Sequence, residues 1–282
     1  MQAIDVRHLG FERVICCWQV GDVLIDPGPA VSLPVLLDAL GDFEPRAILL
    51  THIHFDHAGG AGTLAARWPD AEIWVHERGA RHLADPRRLI ASATMLYGAD
   101  GMARLWGAIE PIPEERLHIL EGGEALEGGF RVAATPGHAS HHVAFMHEPS
   151  GRAFVGDMAG VRSVPGGPTV APTPPPDIDL AAWRRSLDTI AAWRPSSLGL
   201  THFGLADDPP AQIAAARAAL DQQEADAAAL DRDGFIAAFL GRIAAACPPE
   251  IAAIYEQTAP AEQQWAGLDR ARRKAAEAGA AG

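Results

Sequence analysis

Lysine is almost absent from this chain: a single one, Lys274, stands close to the end of 282 residues. Any positive charge that acts on a bound molecule in the main body must therefore come from arginine, histidine or a metal ion. The formal net charge of −13 argues against an extended nucleic-acid footprint, because phosphate binding needs a concentrated positive surface. Only three cysteines occur, Cys16, Cys17 and Cys247, with neither zinc-ribbon spacing nor a disulfide framework. They read as small buried thiols in a reducing compartment. No apolar run approaches membrane-spanning length, and the opening MQAIDVRHLG lacks the basic-then-apolar pattern of a secretory leader. A soluble, cytoplasmic protein that touches neither nucleic acid nor membrane is the expectation.

What is present is apolar and periodic. Hydrophobic residues make up 48 % of the chain, ample for a large core. Short strand-like runs (RVICCWQV, DVLIDPG, RAILL, AEIWVH) alternate with helical stretches, the pattern of a layered α/β architecture. From about 77 to 113 the pattern turns helical, as an insert. Strand signals return at RLHIL, FRVAAT, HVAFMH, RAFVGD and SSLGL, and Asp179 caps a helix. Residues 163–176 are too rich in proline for a central strand and read as a stiff loop. From about 209 the chain is alanine-rich and helical. Phe235, Phe239 and Leu240 share one face there, so that face is expected to be buried. These helices could cover the sandwich, complete a pocket or form a homodimer contact.

The stretch LLTHIHFDHAGG packs His52, His54, Asp56 and His57 into six positions where a buried strand ends. His52 and His54, two apart on an extended segment, leave the same side of it. Three further donors stand at the same kind of junction: His138 after FRVAAT, Asp157 after RAFV and His202 after SSLGL. Imidazoles and carboxylates converging beyond strand ends suit zinc, iron or manganese. Loops beyond the carboxyl ends of strands are also where α/β proteins place their chemistry.

With these motifs in order (THIHFDH, TPGH, GD and a final H), the chain from residue 1 to about 205 resembles the metallo-β-lactamase-fold superfamily. The overall likeness, with its helical insert and TPGHASHH, is to that superfamily's uncharacterised hydrolases. The resemblance implies a four-layer αβ/βα sandwich, residues 1–208, with a helical insert, followed by a helical extension at 209–282. It also implies a site for two divalent metal ions, zinc first and iron or manganese as alternatives. His52, His54 and His138 would hold one ion, Asp56, His57 and His202 the other, and Asp157 would bridge them. Asp26, in LIDPG, would support a ligand from behind. Asp157 stands where β-lactamases of this fold usually carry cysteine, which argues against an antibiotic hydrolase.

The implied activity is hydrolysis of an ester-like bond (carboxylic ester, lactone, thioester or phosphoester) of a small molecule. Two metals roughly 3.5–4 Å apart bridge a water and make hydroxide available near neutral pH. Asp56 is the carboxylate expected to handle its proton. No GxSxG elbow competes with that reading. Glyoxalase II-type thioesterases of the fold grip glutathione partly through a lysine and a tyrosine. The missing lysines, with only Tyr97 and Tyr255 present, weaken that substrate. The alternative within the fold is a mononuclear-iron persulfide dioxygenase.

Met95, Leu96, Tyr97, Met102 and Trp106, with the proline-rich loop, are candidate pocket walls. Ordinary core beneath the insert is the reading that burial statistics favour for them. His8, His76, His82, His118 and His147 lie outside the motif steps and read as ordinary residues. His141 and His142 are divided between a role at the site and simple exposure.

Overall fold

In the computed structural model, which describes residues 1–280, two six-stranded sheets face each other. The first contains β1 (Gln2–Asp5), β2 (Cys16–Val20), β3 (Val23–Ile25), β4 (Ala47–Leu49), β5 (Glu72–His76) and β6 (Leu117–Leu120), in that spatial order. β1 to β3 are antiparallel and β3 to β6 parallel. The second contains β7 (Ala125–Leu126), β8 (Phe130–Ala134), β9 (Val143–His147), β10 (Arg152–Phe154), β11 (Ser197–Leu200) and β12 (Gly204–Ala206). These lie side by side in reverse order, β12 to β7, and β10 and β11 are the parallel pair.

The alternation of side chains along each strand sorts the core into layers. Val23, Ile25, Ala47 and Leu49 point across to Phe130, Val132, Phe145 and Phe154 of the second sheet. Their neighbours Leu24, Ile48 and Ile73 point the other way, into a helix layer. That layer holds α1 (Leu33–Leu40), the single turn α2 (Phe55–Ala58), α3 (Ala61–Arg67) and α4 (Glu77–Ala84). A strand buried on both faces reads as an unbroken apolar run, as RAILL does. Behind the second sheet lies α6 (Leu180–Ala192), which turns Trp183, Leu187 and Ile190 inward at i, i+4, i+7 spacing. The Asp179 carboxylate accepts from the Ala182 N–H at 2.8 Å and so caps that helix. α7 (Pro209–Ala229) completes the fourth layer with Ile213, Ala216 and Leu220.

The helical insert has two parts with different roles. α4 packs Ala80 and Leu83 into the first helix layer. α5 (Arg87–Leu105) stands outside it, bent at Gly98, and of its residues only Met102 is buried. The C-terminal helices α8 (Arg232–Ala246), α9 (Pro249–Thr258) and α10 (Ala261–Ala280) share a core of their own, built on Phe235, Phe239, Ile243, Tyr255 and Leu268, whereas Leu240, grouped with them from its spacing, is exposed. α7 and α10 are tied to the proline-rich loop by buried glutamines. Gln223 bonds both backbone groups of Ala171, at 3.0 and 2.8 Å, and Gln264 accepts from the Thr173 N–H. A loop poor in donors thus has the backbone groups of Ala171 and the Thr173 N–H paired by side chains from α7 and α10, and the Pro168 carbonyl by Tyr255 of α9. Gly267 lets α10 come close: a Cβ there would lie 2.0 Å from the Thr173 carbonyl oxygen. No described helix is long and apolar enough to cross a membrane.

Candidate metal centre

β3, β4, β8, β10 and β11 all release their chains at the same edge of the sandwich, and each release carries a polar side chain inward. β3 delivers Asp26; β4 delivers the stretch from Thr51 to His57, with His54 entering α2 and Asp56 and His57 on its single turn. β8 leads to His138, β10 to Asp157 and β11 to His202. Gly156 has a φ of 49°, and a Cβ there would meet His142 Nε2 and Thr51 Oγ1 at 2.6 Å, so glycine is required beside Asp157.

The seven donors meet in overlapping groups of three. In the first, His54 Nδ1 lies 3.0 Å from His52 Nε2 and 2.9 Å from His138 Nε2. In the second, Asp56 Oδ2 lies 3.3 Å from His202 Nε2 and 3.9 Å from His57 Nε2. Asp157 stands between them. Its Oδ1 is 3.1 Å from His57 Nε2 and 3.3 Å from His202 Nε2, while its Oδ2 is 3.2 Å from His138 Nε2. Every residue expected from the sequence to hold a metal is in this cluster.

Four of the rings are fixed from behind through their other nitrogen. His138 Nδ1 lies 2.8 Å from the Pro172 carbonyl and His202 Nδ1 2.6 Å from that of Val14. A carbonyl only accepts, so these nitrogens carry the proton and each Nε2 keeps a free lone pair. His57 Nδ1 likewise donates to Asp26 Oδ2 at 2.7 Å. Asp26 also accepts from the Thr51 N–H and hydroxyl and from the Thr201 hydroxyl, at 2.8, 2.7 and 2.9 Å. Because the Thr51 hydroxyl donates to Asp26, its lone pair is left to receive His52 Nδ1–H at 3.1 Å. His142 is fully buried: its Nδ1 is 2.8 Å from Thr135 Oγ1, and its Nε2 receives the Asp157 N–H at 3.4 Å. His141 packs its ring on His52 and His54, and burial takes its pKa down to about 3. Neither histidine is a free surface residue.

Charge in the cluster follows from burial and neighbours. Burial, and next the adjacent imidazoles, hold His52 and His54 neutral, His54 at about 3. Burial opposes charge on His57 too, but Asp157, Asp26 and Asp56 outweigh it and raise its pKa. The Asp56 and Asp157 carboxyls stay below the ordinary range despite burial, because His57 and its neighbours favour the anions. Buried His57 Nε2 and Asp157 Oδ1 face each other at 3.1 Å but outside good hydrogen-bond geometry, so neither is satisfied by a protein partner. Imidazole nitrogens and carboxylate oxygens facing one another at one point are the donor set that a divalent cation satisfies, so these residues fit such an ion.

A cavity of about 820 Å³ opens over Asp56, His138, Asp157 and His202. α5 supplies one wall through Leu89, Leu96 and Tyr97, with Trp106 just beyond its end, and Pro172 and Pro174–Pro176 supply another. The insert stripe is therefore largely cavity wall, not core: Met95 is 85 % and Leu96 51 % exposed, and only Met102 is buried. The C-terminal segment closes the third side with Glu256, Gln257, Gln263 and Arg270, and the Tyr97 hydroxyl reaches Gln263 Oε1 at 3.4 Å. Two of the roles open for the segment from 209 are filled: α7 covers the second sheet, and α9 and α10 complete the pocket. His8, read from the sequence as an ordinary residue, also lines it. Nothing in MQAIDVRHLG marks that histidine, since the turn that carries it inward depends on distant contacts.

Glu256 yields a modest prediction. Burial raises its carboxyl pKa, and its Oε2 has no partner. A carboxyl whose pKa is raised by folding contributes stability at low pH that is lost as pH rises through the folded value. Glu256→Gln removes that loss, so the melting-temperature difference, variant minus wild type, should be about 1–3 °C more positive at pH 7.5 than at pH 4. An equal difference at both pH values would refute this.

The site thus defines a class: a two-sheet sandwich with a His/Asp cluster at the carboxyl ends of its strands. A family model described as the Metallo-beta-lactamase superfamily matches residues 21–202, and the chain belongs to that superfamily. It is 30 % identical over 200 residues to the metallo-beta-lactamase fold-containing protein ST1585 of Sulfurisphaera tokodaii, covering 68 % of this chain and 72 % of that one. The crystal structure of ST1585 aligns with a TM-score of 0.64 at 26 % identity, over 79 % of this chain and 85 % of that one. TTHA1623, solved in a di-iron-bound form, aligns at 0.53 with 29 % identity over 68 % and 89 % of the two chains. A hydroxyacylglutathione hydrolase of Enterobacter sp. (strain 638) is 31 % identical over 127 residues, 45 % of this chain but only 39 % of that enzyme.

Proposed function

We propose that this chain is a dinuclear metal-dependent hydrolase that cleaves an ester-like bond of a small molecule. The catalytic unit would be residues 1–208 with α7 as its outer layer, and the helices that follow α7 would serve as pocket wall. The observation that carries the reading is the divided carboxylate of Asp157, one oxygen 3.2 Å from the first group of donors and the other 3.1 and 3.3 Å from the second. His52, His54 and His138 would hold one ion and Asp56, His57 and His202 the other. When bound, such ions lower the pKa of water towards neutrality and polarise the scissile carbonyl or phosphoryl oxygen. The remaining work belongs to the chain. Asp56 faces the cavity and is placed to accept a proton from the attacking water, while the α5 wall and proline loop exclude bulk solvent from the reacting bond.

The di-iron form of TTHA1623 supports two ions without choosing zinc over iron for this chain. Similarity to hydroxyacylglutathione hydrolases supports hydrolysis more than it supports glutathione. It spans less than half of those enzymes, and among the described residues the one arginine or lysine lining this cavity is Arg270.

Elemental mass spectrometry on protein purified without added metal tests the reading. Two ions per chain are expected, and removing them with a chelator should abolish ester hydrolysis and lower the melting temperature. At a free metal concentration 100 times Kd the bound ion is worth about 2.7 kcal/mol of stability. One iron per chain, with oxygen consumed in the presence of persulfides, would replace the hydrolase with the dioxygenase.

A further inference from the structure

The cavity wall around His8 has no part in metal binding, yet it is built with unusual care. His8 sits in a single 3-10 turn between Arg7 (φ 46°) and Leu9 (φ 53°), both left-handed without being glycine. Such conformations persist only where the surroundings enforce them. Here Asp5 does so, accepting from the Arg7 and Arg13 N–H groups at 2.9 and 2.7 Å and pinning both ends of the loop. The His8 ring lies nearly parallel to that of Trp106, with centroids 5.6 Å apart and 14° between planes. Trp106 in turn meets Phe55 at 6.0 Å and Tyr97 at 5.6 Å. All four rings line the cavity.

His8 Nδ1 lies 3.4 Å from Ser32 Oγ, whereas Nε2 has no protein partner and is not among the polar atoms sealed from solvent. A nitrogen that is unpaired yet accessible, on a ring otherwise buried, faces the cavity. The four rings carry no fixed charge themselves, and the carboxylate that acts on His8 and Tyr97 is Asp56, next to Phe55. The charged side chains lining the cavity, apart from Asp56 and Asp157, are Glu256 and Arg270, both from the C-terminal helices.

We propose that His8 and Trp106 form a plate that receives a flat, uncharged, apolar group of the substrate, such as an aryl or conjugated portion of an ester, with His8 Nε2 supplying the one directional contact on that wall. The word substrate rests on the hydrolase reading; the plate itself does not. Flat rings stack favourably on such a surface, and a puckered ring of the same size does not. His8 is thus a specificity residue that the metal-binding motifs do not include.

The test uses two neutral amides of equal size, acetanilide and N-cyclohexylacetamide, titrated into the metal-loaded protein and followed by histidine NMR signals. Phenyl acetate hydrolysis is measured in parallel. Acetanilide should bind about fivefold tighter than its cyclohexyl analogue and should shift the His8 resonances. His8→Ala should weaken acetanilide about tenfold and erase the preference. His8→Phe keeps a flat ring on Trp106 and should retain the preference while losing about threefold in affinity, the share of one hydrogen bond. It also serves if the alanine variant folds poorly. Equal binding of the two amides, or no acetanilide binding, overturns the plate. If phenyl acetate is nonetheless hydrolysed, the hydrolase reading survives that failure. Selective acetanilide binding lost in His8→Ala, with no phenyl acetate turned over, upholds the plate and leaves the hydrolase reading to the metal-content and chelation test.

Discussion

Asp56→Ala is expected to lower kcat for ester hydrolysis by about 10³-fold, within the range that general acid–base groups supply. The side chain occupies the first turn of α2, with Oδ2 3.3 Å from His202 Nε2 and 3.9 Å from His57 Nε2. Among the clustered carboxylates it alone reaches the cavity freely: its side chain is 23 % exposed, against 4 % for Asp157. It can therefore donate a lone pair inward and still meet a water from the substrate side. Alanine removes both capacities, so metal content should fall together with turnover. Asp56→Asn separates them, because an amide oxygen remains a donor but cannot accept the proton at neutral pH. That variant should keep more of its metal than the alanine variant, with KM little changed and kcat still down by about two orders of magnitude. Near-normal turnover in Asp56→Ala would remove the residue from the chemistry altogether.

The seven clustered donors were legible because each follows an apolar run at a step where the chain must leave a sheet. In the structure those steps share one edge, since β4, β8, β10 and β11 all end there. The layered α/β class was legible for the same reason: RAILL and its neighbours are buried on both faces. The cavity walls were not. Met95 and Leu96 obey the burial statistics of their residue types only if something covers them, and on α5 nothing among the described residues does. The two glutamines that hold the C-terminal helices to the proline loop look like solvent-facing residues of polar helices, yet both are buried against backbone. β1, β7 and β12, of two to four residues each, are too short to carry a period and are defined by their partners. His8 depends on Asp5 folding the loop back on itself, a contact eight residues long that no local pattern announces.

Asp26→Ala should have the largest effect on stability. The residue is fully buried and stands in the left-handed region (φ 50°), where a lone aspartate is tolerated better than alanine. Its carboxylate receives four donors at 2.7–2.9 Å: the Thr51 N–H and hydroxyl, the Thr201 hydroxyl and His57 Nδ1. These come from the ends of β4 and β11, so one side chain joins the two sheets beneath the metal centre. Removing it leaves several donors buried without an acceptor, at a cost of about 3–5 kcal/mol. For a chain of this size that corresponds to a melting temperature lower by roughly 10 °C. The same loss frees the His57 ring and, through Thr51, the His52 ring to turn, and metal affinity should fall by about 10–100-fold. Chelation separates the two effects. If Asp26 braces the protein itself, the variant melts well below wild type even when both have been stripped of metal. If it acts only by orienting ligands, the difference vanishes in the chelator. The four short contacts, all between protein atoms, favour the first outcome. Asp26→Asn should fall between them. It tolerates the backbone and still accepts from the Thr51 N–H, but its amide hydrogens confront the His57 Nδ1–H and force that ring into its other tautomer.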